Sequence, residues 1–223
     1  EKFYLRSLKI AEKVYGKKHP NYAYYLGQLG NHYSQYSDIE NKNFQKAENY
    51  LLSSLKIYNK KYGEIHPRTL KEKQSLGYLY LLKAYNSEFN ETEDTSELYE
   101  QAEILLSNIS EIARENLPID HVINTNSLYM LGDLYLAKGD FEKAENLFIK
   151  SLNKTDKFFG IETINTAIAL NKLAEVYAIQ GSYEKAKPLF KKQLIISLNL
   201  IKKELPFLPL DERTKFIDYF HYN

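Results

Sequence analysis

A five-residue block recurs four times in this chain, and its spacing constrains the fold before any local reading does. The block is a leucine, a small residue, two further residues and a tyrosine. It appears as Leu29-Gly30-Asn31-His32-Tyr33, Leu76-Gly77-Tyr78-Leu79-Tyr80, Leu131-Gly132-Asp133-Leu134-Tyr135 and Leu173-Ala174-Glu175-Val176-Tyr177. An alanine in an acidic-basic setting follows each one: Ala47, Ala102, Ala144 and Ala186. Ala47 to Leu76, Ala102 to Leu131 and Ala144 to Leu173 are each 29 residues apart. Block leucine to alanine is 18, 26, 13 and 13 residues, so the base period is 42 (29 plus 13), with 5 extra residues in the first repeat and 13 in the second. A fixed period of this size means stacked supersecondary units, each burying its apolar face on the next. Such an array offers an extended surface in place of a single pocket.

Each unit reads as two helices. In the third, Ile123, Leu128, Met130, Leu131, Leu134 and Tyr135 follow helical spacing, which predicts an amphipathic helix A. Lys138-Gly139-Asp140 reads as stop, left-handed end and cap. Phe141, Ala144, Leu147, Phe148 and Leu152 then form helix B. The fourth unit copies this, with helix A over about Thr163–Ile179, a turn at Gln180-Gly181-Ser182 and helix B from Tyr183 through about Glu204. Glycine inside a helix costs about 1 kcal/mol against alanine. Gly30, Gly77 and Gly132 at one repeat position therefore imply close packing against a neighbouring helix. Junctions repeat as well: Tyr15-Gly16-Lys17-Lys18-His19-Pro20 and Tyr62-Gly63-Glu64-Ile65-His66-Pro67, with degenerate versions at 117–121 and 159–162. Proline opens a helix where its missing N–H does no harm.

The predicted organisation is a lone helix B at 1–18, repeats at about 20–65, 66–120, 121–161 and 162–204, and a linker with a short helix (Asp211–Tyr222) at 205–223. The chain begins inside a repeat, so its natural N-terminus is expected upstream. The insertions fall in helix A–helix B turns. Ser37–Asn43 is polar, and Asn86–Ser96 reads as a polar, acidic loop. Both should project from one rim of the array.

Composition excludes several function classes. With 30 basic and 29 acidic residues the net charge is +1, which gives no reason to expect nucleic acid or an anionic membrane. No cysteine is present, so there is no thiolate nucleophile and no cysteine-based metal site. No apolar run approaches a membrane span, and no signal peptide is visible. The lysine, asparagine, isoleucine and tyrosine usage points to an AT-rich bacterial source, and the cytoplasm is the expected compartment.

The pattern of leucine, small residue, tyrosine, alanine and aromatic resembles the tetratricopeptide repeat (TPR). In the third unit the residues are Leu128, Leu131, Gly132, Tyr135, Ala144, Phe148 and Ser151. The second unit departs most, with Lys73 where leucine is usual. The 42-residue period with Tyr-Gly-x-x-His-Pro junctions is similar to the longer TPR variety of kinesin light chains and many bacterial proteins. The resemblance implies an all-α fold, a right-handed α-solenoid of antiparallel helix pairs. The tail, Phe207-Leu208-Pro209-Leu210-Asp211-Glu212-Arg213 with Phe216, resembles the junction where TPR repeats precede a CHAT domain, a caspase-like peptidase domain. Pro209 and Leu210 depart from that pattern. Fold alone does not give function.

His19, His66 and His121 share one repeat position, and capping or turn packing accounts for them. Being one repeat apart, they should not converge on an ion. No zinc-peptidase helix motif, phosphate loop, nucleophile elbow or triad spacing appears. No catalytic residue, metal or cofactor is expected, and the chain is not read as an enzyme. Tyr33, Tyr80, Tyr135 and Tyr177 match the repeat's packing position and are assigned to the core.

The geometry of the family turns one face of helix A toward a concave groove. Here that face gives Tyr24, Asn31, Ser34 and Gln35; Lys71, Gln74, Tyr78 and Leu81; Asn126, Tyr129, Asp133 and Leu136; and Asn171, Glu175 and Ile179. Amides can pair with a peptide backbone as donor and acceptor. Tyrosine gives contact area at low entropy cost. One reading is a peptide or protein segment held in the groove. The other is a solvated face, or one packed on another domain of the same protein. Only Lys71 is cationic, which disfavours clamping of a C-terminal carboxylate. The leading expectation is a protein-interaction scaffold forming the regulatory repeat region of a larger bacterial protein; the alternative is a sensor of a small signalling peptide. Exposed terminal helices should invite dimer or end-to-end contacts.

Overall fold

A computed structural model of the chain describes residues 1–35, 42–89, 95–159 and 163–204. Nine helices lie among them: α1 (Lys2–Tyr15), α2 (Pro20–Gln35), α3 (Lys42–Tyr62), α4 (Pro67–Phe89), α5 (Ser96–Asn116), α6 (Val122–Ala137), α7 (Phe141–Phe159), α8 (Ile164–Ile179) and α9 (Tyr183–Glu204). The fold is an all-α repeat of the solenoid class. α1 is followed by the pairs α2/α3, α4/α5, α6/α7 and α8/α9.

The junction residues explain where these helices start. The unprotonated Nδ1 of His19 accepts from the Asn21 N–H at 3.0 Å, that of His66 from Arg68 at 3.1 Å and that of His121 from Ile123 at 3.2 Å. Each histidine therefore satisfies an otherwise orphaned donor at the start of a helix A. Two of them also stack on the tyrosine that ends the preceding helix, Tyr15–His19 at 4.9 Å and Tyr62–His66 at 4.3 Å between ring centroids. α6 and α8 close in one way. The Asp140 N–H reaches the Tyr135 carbonyl while Gly139 reaches Leu136; Ser182 and Gly181 do the same with Tyr177 and Ala178. Both glycines sit at positive φ, 75° and 72°, as this double-bonded helix end requires. Asp140 then caps α7 by accepting from the Lys143 N–H.

Two expectations need correction. The Asn86–Ser96 segment is not a loop throughout: α4 runs on to Phe89 and α5 begins at Ser96. Tyr99 donates to Glu88 at 2.7 Å, tying the extension of α4 to α5. Helix A of the third and fourth repeats is also not amphipathic. α8 buries Thr166, Ala167, Ala169, Leu170, Leu173, Ala174 and Val176 over one half of its surface, and Ile168, Asn171, Lys172, Glu175 and Ala178 on the other half are also partly covered. A helix covered on several sides loses the single apolar stripe of a surface helix. The expected tail helix Asp211–Tyr222 and the break before it lie outside the described residues.

The chain forms two compact units, Glu1–Met130 and Leu131–Asn223. In the first, Leu8 of α1, Leu26 and Leu29 of α2, Phe44, Ala47 and Leu51 of α3, and Leu76 and Leu79 of α4 make one core cluster. Leu70, Ile109, Ala113 and Ile123 make another. In the second unit Ala167, Leu170 and Ile196 pack with Leu152, Leu189 and Leu200. The repeat glycines permit these approaches. A β-carbon on Gly30 would stand 2.6 Å from Leu51, and one on Gly132 would stand 2.7 Å from Phe148.

The repeat tyrosines do more than fill space. Tyr33 donates to Glu1 at 2.8 Å, Tyr80 to Glu48 at 2.9 Å and Tyr177 to Glu145 at 2.7 Å, each 32 residues upstream. The acceptor glutamates directly follow the repeat alanine, apart from Glu1, which opens the chain at the equivalent place. Lysines just before the alanine cover the rings, Lys46 over Tyr33 at 5.0 Å and Lys185 over Tyr177 at 5.2 Å. Burial, then the hydrogen bond to glutamate, pushes the Tyr33 and Tyr177 hydroxyls up to about 12. The tyrosine thus ties one repeat's helix A to the previous repeat's helix B.

Large apolar side chains stay exposed on both terminal helices. Phe3, Ile10 and Val14 on α1, and Leu194, Ile195 and Leu198 on α9, are each between 44% and 83% accessible.

Candidate functional site

In the first unit, successive A helices bring three of the expected groove residues together. Tyr24 and Asn31 of α2 and Lys71 of α4 line a cavity of about 160 Å³ with Gln28, Tyr58, Arg68 and Glu72. Tyr24, Arg68 and Lys71 are exposed, while Tyr58 and Glu72 are buried. The buried pair forms the deep end and the exposed residues the rim. Arg68 lies 5.9 Å over the Tyr62 ring. It also hydrogen-bonds the Tyr58 hydroxyl, which burial and the charge of Glu72 push up to about 12.

Glu72 is the unusual member. It is 7% accessible, and its Oε2 has no hydrogen-bond partner among the described residues. Burial raises its carboxyl to about 7, against the opposing pulls of a hydrogen bond with Ser54 and the charge of Lys71. Ser54 has one proton, and its hydroxyl is placed to donate to the Ala23 carbonyl at 2.8 Å. A protonated Glu72 can donate to Ser54 while Ser54 donates to Ala23. An ionised Glu72 competes with Ala23 for that proton. Space for the carboxyl comes from Gly27: a β-carbon there would lie 2.5 Å from the Glu72 Oε1.

The other expected groove residues of this unit divide. Gln35 is exposed at the end of α2, and Tyr78, Asn126 and Tyr129 are partly buried. Gln74 is buried and donates to both the Ile123 carbonyl (3.1 Å) and the Ser127 hydroxyl (2.8 Å) of α6, so its amide N–H groups join helices. In the second unit, Asp133 of α6 and Glu175 of α8 meet Lys172, at 3.1 and 3.3 Å. Asp133 is 4% accessible, and Asn171 beside Lys172 is partly buried.

The sequence reading missed Gln28, Tyr58, Arg68 and Glu72. Glu72 stands four residues before the block leucine, where the other repeats carry Tyr25, Ser127 and Ala169. A signal was present in Gly27, two residues before Leu29. The other repeats place Gln74, Tyr129 and Asn171 there. An extra helical glycine facing a carboxylate on the next helix A marks a gap. Among the described residues no group of three or more histidine, aspartate or glutamate side chains could hold a metal ion. Nor is any described helix long and apolar enough to cross a membrane.

Comparisons with known proteins agree with this architecture. Residues 95–157 and 124–194 match the model of the tetratricopeptide repeat family. No curated protein matches the chain. Among solved structures, the nearly identical TPR-like repeats of a putative kinesin light chain from Podosopora anserina are 20% identical, with a TM-score of 0.57 over 89% of this chain and 86% of that one. A variant of the same repeats gives 19% and 0.59 over 90% and 86%. BtubC (BKLC) from P. vanneervenii is 17% identical, with a TM-score of 0.62 over 90% of this chain and 72% of its own. At these identities the structures establish fold alone. Repeats of this kind are in general protein–protein interaction scaffolds. The family match shows that the part of the chain over residues 95–194 carries tetratricopeptide repeats, and the solved structures show that the fold is that of such repeats.

Proposed function

We propose that the chain is a non-enzymatic scaffold whose helix-A faces bind an extended peptide or protein segment. The observation that carries this is the cavity between α2, α3 and α4. Tyr24, Asn31 and Lys71 from two successive repeats line one opening. A peptide laid across the A helices would find amides for its backbone and an aromatic wall for a side chain. In the second unit, Glu175 and Asn171 present further polar groups on α8, beside the Asp133–Lys172 pair. The resemblance of the tail to the linker before a CHAT domain supports a place in a larger bacterial protein as its regulatory repeat region. The apolar faces of α1 and α9 supply contacts of their own.

The test is selection of peptides from a displayed library on the full chain, followed by affinity measurement on variants. Tyr24→Ala and Asn31→Ala should each weaken the selected peptides by about tenfold, about 1.4 kcal/mol. Lys56→Ala, on an exposed part of α3, should leave them unchanged. Equal effects at all three positions would rule out the groove.

A further inference from the structure

We propose that the cavity between α2, α3 and α4 receives a cationic side chain, lysine or arginine, of the bound segment, with Glu72 as its counter-charge. This rests on the groove reading above and names what one position of the segment must be.

An unmet acceptor belongs to a residue that lines the cavity. A buried carboxylate needs paired charge or several hydrogen bonds. Among the described residues Glu72 has no partner for Oε2 and one contested hydroxyl at Ser54, and it lines a cavity. The second unit shows what a buried carboxylate on helix A takes in this protein. There an ammonium, Lys172, stands 3.1 Å from Asp133. Among the described residues no such group stands at the Glu72 Oε2, and Glu72 lines a cavity.

Arg68 is engaged with the Tyr62 ring and the Tyr58 hydroxyl. Lys71 is exposed and acts on Glu72 through its charge. Solvent screens a rim ammonium far more than it screens a carboxylate at the deep end. A side chain entering past Lys71 would therefore meet a weak repulsion first and a strong attraction last. Tyr58 of α3 and Tyr24, Gln28 and Asn31 of α2 complete the lining and carry no positive charge.

Binding of a cation should also release a proton. With the cavity empty, burial holds the Glu72 carboxyl near 7, so about half is neutral at that pH. A cation binds the ionised form and draws the carboxyl down. Affinity should be flat above about pH 8 and fall by up to about tenfold per unit below about pH 7.

The experiment titrates the full chain with N-acetyl-arginine amide, its neutral isostere N-acetyl-citrulline amide and N-acetyl-glutamate amide. The backbone amide resonances of Gly27 and Ser54 are followed by NMR. The arginine probe should saturate these shifts in the millimolar range, at least about tenfold more tightly than citrulline. Glu72→Gln, which removes a buried charge and should fold well, should abolish that preference. Lys71→Ala should strengthen arginine binding, because it removes the rim repulsion. Citrulline binding as well as arginine, an unchanged preference in Glu72→Gln, or tighter binding of the glutamate probe would each overturn the proposal. So would library peptides containing arginine that bind no better than the amide, since the ligand would then be a small free cation. Groove and pocket fail separately: library peptides that bind Glu72→Gln and wild type alike sink the pocket and keep the groove.

Discussion

Two buried carboxylates on A helices meet different fates in the two units. Asp133 of the second unit has Lys172 at 3.1 Å, and Lys172 also reaches Glu175. Glu72 of the first unit has a cavity and a contested hydroxyl. Both come from one repeat plan, so the plan itself does not decide whether a charge on this face is structural or available. The decision lies in what the neighbouring helix A offers. α8 offers a lysine to α6, closing the site from within. α2 offers Gly27 to α4, leaving room.

The largest effect that would break this contrast is at Lys172. Lys172→Met should destabilise the chain by about 2 kcal/mol, less than for a fully buried pair because about a quarter of the lysine is exposed. Asp133→Asn in the same chain should recover most of that loss, since no buried charge is then left facing the methionine. Urea unfolding of the two variants measures both numbers. A loss below about 0.5 kcal/mol would make the pair an ordinary surface bridge and erase the difference between the units.

The opposite sign is expected at Glu72. Its carboxyl titrates near 7 in the folded chain against an ordinary 4.5, so between those values the native state holds more protons than the unfolded one. Stability from this group is therefore fully present below about pH 4.5 and falls as pH rises through about 7. Glu72→Gln should match wild type near about pH 5 and exceed it by about 2 kcal/mol at about pH 8. Thermal unfolding across that range gives the curve. A variant less stable than wild type at pH 8 would mean that Glu72 already has an internal partner.

Much of the fold could be read from repetition, and the site largely could not, for one physical reason. Repetition reports what every unit must do. Glycine at 30, 77 and 132, histidine at 19, 66 and 121, and tyrosine at 33, 80 and 177 answer demands common to all units: close approach, a capped start, a tie to the previous repeat. The paired glutamates at 48 and 145 were in view as an acidic setting after the alanine. Their role emerges only when the stacking distance is known. Glu72 and Gly27 are departures from the repeat, and periodicity averages departures away. Gln74 failed differently. It occupies a groove register, but α6 passes close enough to take both its hydrogen bonds. The amphipathic reading of helix A failed because a helix covered on several sides has no solvent stripe to betray it.

A smaller effect tests whether inter-repeat ties are equal in the two units. Tyr80→Phe removes a bond to Glu48 in the first unit, and Tyr177→Phe removes one to Glu145 in the second. Each should cost about 1 kcal/mol, the net value of one hydrogen bond to a partly exposed carboxylate. Double-mutant cycles with Glu48→Gln and Glu145→Gln should show coupling of about 0.5 kcal/mol or more. Coupling in one unit only would show that the tie is a local accident and not a repeat feature.

The smallest expected effect is the sharpest on the cavity itself. Replacing an interior helical glycine by alanine gains about 1 kcal/mol when nothing is in the way. At Gly27 something is: the new β-carbon would lie 2.5 Å from one Glu72 oxygen and 2.8 Å from the other. The carboxyl is the far end of a flexible side chain and has the cavity to retreat into, so the clash should cancel the gain without exceeding it. Gly27→Ala should therefore be neutral within about 0.5 kcal/mol in the wild-type chain, yet stabilising by about 1 kcal/mol in a Glu72→Ala background. The equivalent place in the fourth repeat is Asn171, where no glycine leaves room for a carboxyl. Equal effects in the two backgrounds would mean that Glu72 does not rest against Gly27. The contrast between the units would then reduce to the presence or absence of Lys172.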